Sequence, residues 1–191
     1  MRLKEKHLRR VRRAARFGLD SEQLAYHPRA GNIILLFKEA ASAAGVPYSE
    51  KRLTTGSWEC SSIALGRVFG IRFRKGFKQT PAFYQAYIWA HEWHHIEWQL
   101  LWGFVPWVTL YSRPRWRWVF ELSALLGGWR VRIHLRPSEL EKLRDNIEAI
   151  TVDFIADYNL TAIGNVRACT TRMLSELVEA YDTDDWRRPR F

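Results

Sequence analysis

The stretch from Thr80 to Gly103 constrains this chain more than any other. It combines a helix with explicit ends, an apolar surface nearly all round, and the run His91-Glu92-Trp93-His94-His95. Thr80 is a good N-cap, Pro81 fits the first helical position, and Gly103 suits the position just past the end. No Gly or Pro lies between them. Two histidines four apart on a helix sit about 40° apart around the axis, so both reach one point in space. Tyr84, Tyr87, Ile88, Trp98 and Trp102 share their face, while Trp89, Trp93, Ile96 and Leu100 cover the back. A helix apolar on every side is buried. Buried imidazoles and a carboxylate need partners, and a metal ion would supply them. Glu92 flanks the same face, where a carboxylate serves a metal-bound water rather than the metal. The bland alternative is a set of core histidines bonded to backbone, but capping, burial pattern and motif agree against it.

A catalytic zinc site takes three protein ligands and keeps one position for water. His91 and His95 therefore call for a third ligand, and Glu121, 26 residues after His95, is the candidate. It opens Glu121-Leu122-Ser123-Ala124, and a small residue one turn after a ligand lets two helices approach closely. Trp118, Phe120, Leu122 and Leu125 surround it in the helical pattern, and an ionised carboxylate there is costly without a cation. The competing candidates are Glu139, Glu141, Asp145, Glu148, Asp153, His134 and His27. Most of those acids share a helix with an evident polar face, where solvation is their natural state. His134 alternates with Arg130 and Arg132 as on an exposed strand, and Glu97 falls on the back of the motif helix. Arg117, four residues before Glu121, is the partner that would make this carboxylate structural instead. The metzincin pattern is excluded, because Trp98 and Leu101 stand where it requires Gly and His.

With these residues in place, the chain resembles the gluzincin metallopeptidases, particularly the small ones in which H-E-x-x-H is followed by E-x-x-A. The resemblance covers roughly residues 60–127. It implies an α+β, mostly helical, zincin-like fold, with a short β-sheet packed on a buried active-site helix and a second ligand-bearing helix. The edge strand of that sheet would bind substrate backbone, and Ala64-Leu65-Gly66-Arg67-Val68-Phe69 looks like it. The implied cofactor is Zn²⁺ on His91, His95 and Glu121, with Glu92 catalytic. Zinc lowers the pKa of its bound water to about 7 and polarises the scissile carbonyl, and Glu92 carries the proton to the leaving amine. A further donor to the oxyanion is expected, from Tyr111, His94 or His134. The implied substrate is a peptide or protein, a peptidoglycan peptide included.

The remaining chain sets bounds on this reading. A length of 191 residues suits one domain with a proper core. Most of the ten Trp lie between Trp89 and Trp129, so the centre is a dense aromatic core. The net charge of +10 is uneven: +11 over residues 1–80, +3 over 81–137 and −4 over 138–191. Basicity thus belongs to the N-terminus rather than to the site. Residues 1–20 read as a basic helical arm, 21–181 as the metallopeptidase domain and 182–191 as a flexible tail. The arm suits an anionic partner (nucleic acid, an anionic membrane surface or an acidic protein), or serves solubility alone. No secretory signal and no transmembrane run is read, which points to a cytoplasmic location, with a virion-associated one open. Cys60 and Cys169 form no metal spacing.

Elements follow from punctuation and period. Asn32 caps a helix from Ile33 to Ala44, and residues 48–58 read as loop. Ser61 to Arg74 reads as two short strands or one bent strand. Phe104 to Tyr111 is apolar and broken by Pro106. Pro114 opens a helix that Gly127-Gly128 stops near Leu126, with a strand from Trp129 to Leu135. Ser138 with Glu141 makes a capping box for a helix to about Tyr158, and Asn165 caps a last helix to about Tyr181. Two other functions remain: a zincin fold kept as a structural or virion/assembly component, and a nucleic-acid-associated protein acting through its arm.

Overall fold

The computed structural model of the chain describes residues 2–14, 27–51, 62–64 and 70–183. The helices are α1 (Glu5–Ala14), α2 (Ala30–Ala43), α3 (Ala82–Trp102), α4 (Phe104–Tyr111), α5 (Pro114–Leu135), α6 (Ser138–Asp157) and α7 (Val166–Asp182). The strands are β1 (Tyr48–Lys51), β2 (Ser62–Ala64) and β3 (Ile71–Arg74). The chain is α+β and mostly helical. The sheet order is β1-β3-β2, with β1 parallel and β2 antiparallel to β3. Tyr48 pairs with Ile71 in the first register, and Ala64 with Ile71 in the second.

The sheet lies just before the motif helix and packs on it. Ile71 and Phe73 point inward from β3, and the Phe73 ring lies 4.7 Å from Trp89 of α3. Phe37 of α2 also stacks on Trp89, at 6.5 Å. Gly70 makes the entry to β3 possible: at φ 67°, a Cβ there would lie 1.7 Å from the Pro47 carbonyl oxygen. That same carbonyl accepts the Ile71 N–H at 2.9 Å. A residue with a side chain fits neither the backbone angle nor the space.

Helix α3 runs between two apolar cores. Trp89, Trp93 and Ile96 face the sheet and α2, and Trp98 faces a second core built from α1, α4, α5, α6 and α7. Helix α5 lies along α3 and contributes Trp118, Phe120, Leu122 and Leu126 to the second core but Val131 to the first. The candidate residues therefore stand at the seam between the cores, held from both sides.

Several elements differ from the sequence reading. Helix α5 continues through Gly127 and Gly128 to Leu135, so the strand from Trp129 is instead a helix. The two glycines are packing positions. A Cβ on Gly127 would lie 2.3 Å from the His94 ring, and one on Gly128 would lie 2.5 Å from Tyr87. The helix stops at Pro137, which disfavours helical geometry in the residue before it. Residues 104–111 are helical, with Pro106 tolerated in the first turn. β1 occupies a segment read as loop, because it gains its partners only from β3. Helix α2 begins at Ala30, before Asn32. Ser138 and Asn165 make no side-chain cap bond.

The basic N-terminal stretch is part of the core rather than an arm outside it, as far as it is described. Leu3, Leu8, Val11 and Ala14 are buried against the second core. The Asn165 side chain accepts the Leu3 N–H at 2.6 Å and donates to the Leu3 carbonyl at 3.1 Å. Arg12 pairs with Glu176 at 2.7 Å. Residues 15–20, 65–69 and 184–191 lie outside the described residues, and with them parts of the expected arm, edge strand and tail. Among the described residues no helix is long and apolar enough to cross a membrane.

Candidate metal centre

One turn of α3 brings His91 and His95 side by side, their ring centroids 5.0 Å apart. From α5, Glu121 reaches across to both. Its Oε2 lies 3.4 Å from His91 Nε2 and 3.3 Å from His95 Nε2, and the two Nε2 atoms lie 3.3 Å apart. Three ligand atoms bound tetrahedrally at about 2.0–2.1 Å are separated by about 3.4 Å. The observed triangle has that size, and His91, His95 and Glu121 could hold a metal ion between them. Glu121 is 3% exposed, and its Oε2 accepts no hydrogen bond. A buried carboxylate oxygen aimed at two imidazole nitrogens is a donor set suited to a borderline cation such as zinc.

The electrostatics fit the same reading. Burial alone pushes the Glu121 carboxyl up, but the two histidines outweigh it and hold the group well below the usual carboxylate range. Burial pulls the His95 imidazole down, and the charges of Glu121 and Glu92 more than reverse this. The same attraction between imidazole and carboxylate that shifts these two groups draws the three side chains toward one point. His91 is the most accessible of the three, with 12% of its side chain exposed, so solvent meets the centre on its side.

Helix α4 supports the centre in a way the sequence reading missed. The Tyr111 hydroxyl donates to Glu121 Oε1 at 2.5 Å, which leaves Oε2 for the histidines. Burial, and then the Glu121 charge, push the Tyr111 phenol far above its ordinary value, so it stays a donor. Trp107 lies on the same helix, its ring 6.0 Å from His95 and 4.9 Å from Tyr111. Trp107 and Tyr111 are four apart, a helical spacing the sequence contains, but Pro106 hides it. Arg117 makes no ion pair with Glu121. Its guanidinium donates to the Tyr111 carbonyl at 3.3 Å and to the Tyr158 carbonyl at 3.1 Å, fixing the α4–α5 corner.

The other candidates lie elsewhere. His94 is 1% exposed, with Nδ1 3.2 Å from the Ala90 carbonyl, and it fills the notch made by Gly127. Burial lowers its pKa to about 3, so it is a neutral core residue. His134 approaches the His27 carbonyl at 3.3 Å. Glu139 is buried, but in an ion pair with Arg132 and Lys142. Glu148 pairs with Arg167, and Glu141, Asp145 and Asp153 are exposed. Glu92 is 5% exposed, and its charge is felt at His95 and Tyr111.

No protein-family model matches the chain, and no curated protein or solved structure is detectably similar to it.

Proposed function

We propose that this protein is a zinc-dependent metallopeptidase of the gluzincin type, with His91, His95 and Glu121 as ligands and Glu92 as general base. The observation that carries the reading is the triangle of His91 Nε2, His95 Nε2 and Glu121 Oε2, with edges of 3.3–3.4 Å. The zincin-like architecture is supported by the order of parts: a short sheet, then the histidine-bearing helix packed on it, then the glutamate-bearing helix. Zinc, when bound, lowers the pKa of a water to about 7 and polarises a carbonyl. The chain's own residues do the rest. Glu92 takes a proton from the attacking water at its carboxylate and returns it to the leaving amine. Glu92 is 5% exposed, and its charge acts on His95, which supports a place near the centre. Tyr111 holds Glu121 in one orientation. A structural zinc centre has no use for a buried base, and this favours hydrolysis over an assembly role.

The test is metal analysis of the purified protein combined with cleavage of a peptide library. The wild type should carry one equivalent of zinc and cleave peptides. Glu92→Gln should keep the zinc and the fold while turnover falls by about 10²–10⁴-fold. Loss of zinc in that variant, or unchanged turnover, would overturn the assignment.

A further inference from the structure

The end of α3 and the short helix α4 carry an apolar surface. Leu100, Leu101, Val105 and Val108 are 44, 62, 72 and 44% exposed, within nine consecutive residues. Other exposed large apolar side chains, such as Leu35 and Val152, stand singly in sequence, which is ordinary for a folded chain. The same short helix turns Trp107 and Tyr111 inward onto the candidate metal centre.

Uncompensated positive charge borders this surface. No acidic residue occurs between Trp98 and Phe120, whereas Arg113, Arg115 and Arg117 do. Helix α1 adds a stripe, since Lys6, Arg10 and Arg13 share one helical face. The Arg10 guanidinium lies 4.3 Å over the Trp116 ring, and Trp116 lies 5.2 Å from Trp102, the last residue of α3. This chain of contacts joins the basic stripe to the apolar surface. Among the described residues Lys6, Arg10, Arg13, Arg113 and Arg115 have no ion-pair partner, whereas Arg12, Arg132, Arg144 and Arg167 do.

Exposed aliphatic tips, half-buried Trp rings and a free basic rim are the chemistry of a surface that rests in a lipid headgroup layer. Nucleic acid would use the cations but gains nothing from Leu101 and Val105. Helix α4 has eight residues, about 12 Å, enough to lie in the interface and far too short to cross a bilayer. We propose that this face docks on an anionic lipid bilayer, with Leu101, Val105 and Val108 entering the headgroup region and the basic rim meeting lipid phosphates. The inference does not depend on the metallopeptidase reading, and it would hold the metal centre beside a membrane surface.

Vesicle flotation of the full chain tests it, with phosphatidylcholine alone and with phosphatidylglycerol added. The protein should float with the anionic vesicles only, and added salt should weaken binding. Leu101→Asp and Val105→Asp should each lower binding at least tenfold without moving the melting temperature, because both side chains lie outside the core. Arg113→Glu together with Arg115→Glu should cost about fivefold per cation lost. Absence of flotation with either vesicle overturns the proposal, as does unchanged binding by both aspartate variants. Two results would name another occupant and overturn it equally. One is binding to a duplex oligonucleotide without any vesicle binding. The other is a dimer in sedimentation that Val105→Asp dissociates while vesicles remain unbound.

Discussion

Tyr111 shows how one hydrogen bond sets the shape of the candidate centre. By holding Oε1 at 2.5 Å it presents Glu121 to the histidines through a single oxygen. Tyr111→Phe removes that bond and leaves the ring packing on Trp107 intact. Outer-shell partners of this kind change metal affinity by about 10–100-fold. Zinc competition with a chromophoric chelator should show a loss in that range for Tyr111→Phe, and Co²⁺ substitution should show a changed visible spectrum. Equal affinity in variant and wild type would remove Tyr111 from the centre. Glu121→Ala should weaken zinc binding about as much as His95→Ala, and tight binding retained by Glu121→Ala would sink the ligand assignment. His94 makes a different prediction, read in metal-free protein. Its folded pKa of about 3 lies below the ordinary histidine value. Between these values the unfolded chain binds the extra proton and the folded chain does not, so stability falls as pH falls through that window. One such group contributes a slope of up to about 1.4 kcal/mol per pH unit. Denaturant titrations between pH 7 and 5 should therefore show a flatter slope for His94→Gln than for the wild type.

At the scale of elements, the contact between α3 and α5 decides whether Glu121 can reach the histidines at all. Gly127 and Gly128 set that distance, since a methyl group at either would meet His94 or Tyr87 at 2.3 or 2.5 Å. Gly127→Ala gains about 1 kcal/mol of helix propensity but overpacks a buried ring, which costs about 1–3 kcal/mol. The expected result is a lower melting temperature together with weaker zinc binding, because His94 belongs to the helix that carries His91 and His95. Gly31→Ala is the control. It lies in α2 with nothing within 4 Å of the added carbon, and it should stabilise by about 0.4–1 kcal/mol without touching zinc. Opposite signs for the two substitutions would show that space, rather than glycine chemistry, governs the difference.

For the whole molecule, α1 closes the second core. Leu8 and Val11 are 4% and 0% exposed, and Arg12 ties α1 to α7 through Glu176. Leu8→Ala should cost about 2–5 kcal/mol, measured by chemical denaturation. Removal of residues 2–14 should lower the melting temperature sharply, since it uncovers apolar surface on α5 and α7. A truncated chain as stable as the full one would return α1 to the status of an appendage. The two cores share α3 and α5, so loss of either core should loosen the His–Glu triangle as well.

The sequence by itself determined the local and periodic features. His91, Glu92 and His95 are one turn of one helix, and helical geometry fixes their relative position without any tertiary contact, even though the Thr80 hydroxyl donates to the Phe77 carbonyl rather than capping the helix. Glu121 was legible because its apolar neighbours make an unpaired charge there costly, and that cost is a property of the residue types. The tertiary structure decided whatever depends on a partner distant in sequence. Gly127-Gly128 reads as a stop in a lone helix, and only the His94 and Tyr87 rings lying against it explain why the helix continues. β1 has no strong strand pattern and exists because β3 offers it hydrogen bonds. The Arg117 alternative failed because the Tyr111 and Tyr158 carbonyls compete for the guanidinium, and the chain must fold before they stand beside it. The basic stretch at the start looked like a solvated arm because its charges outnumber its apolar residues. Its narrow stripe of Leu8, Val11 and Ala14 is nonetheless enough to seal a core, since burial is settled by the surface an element meets rather than by its average polarity.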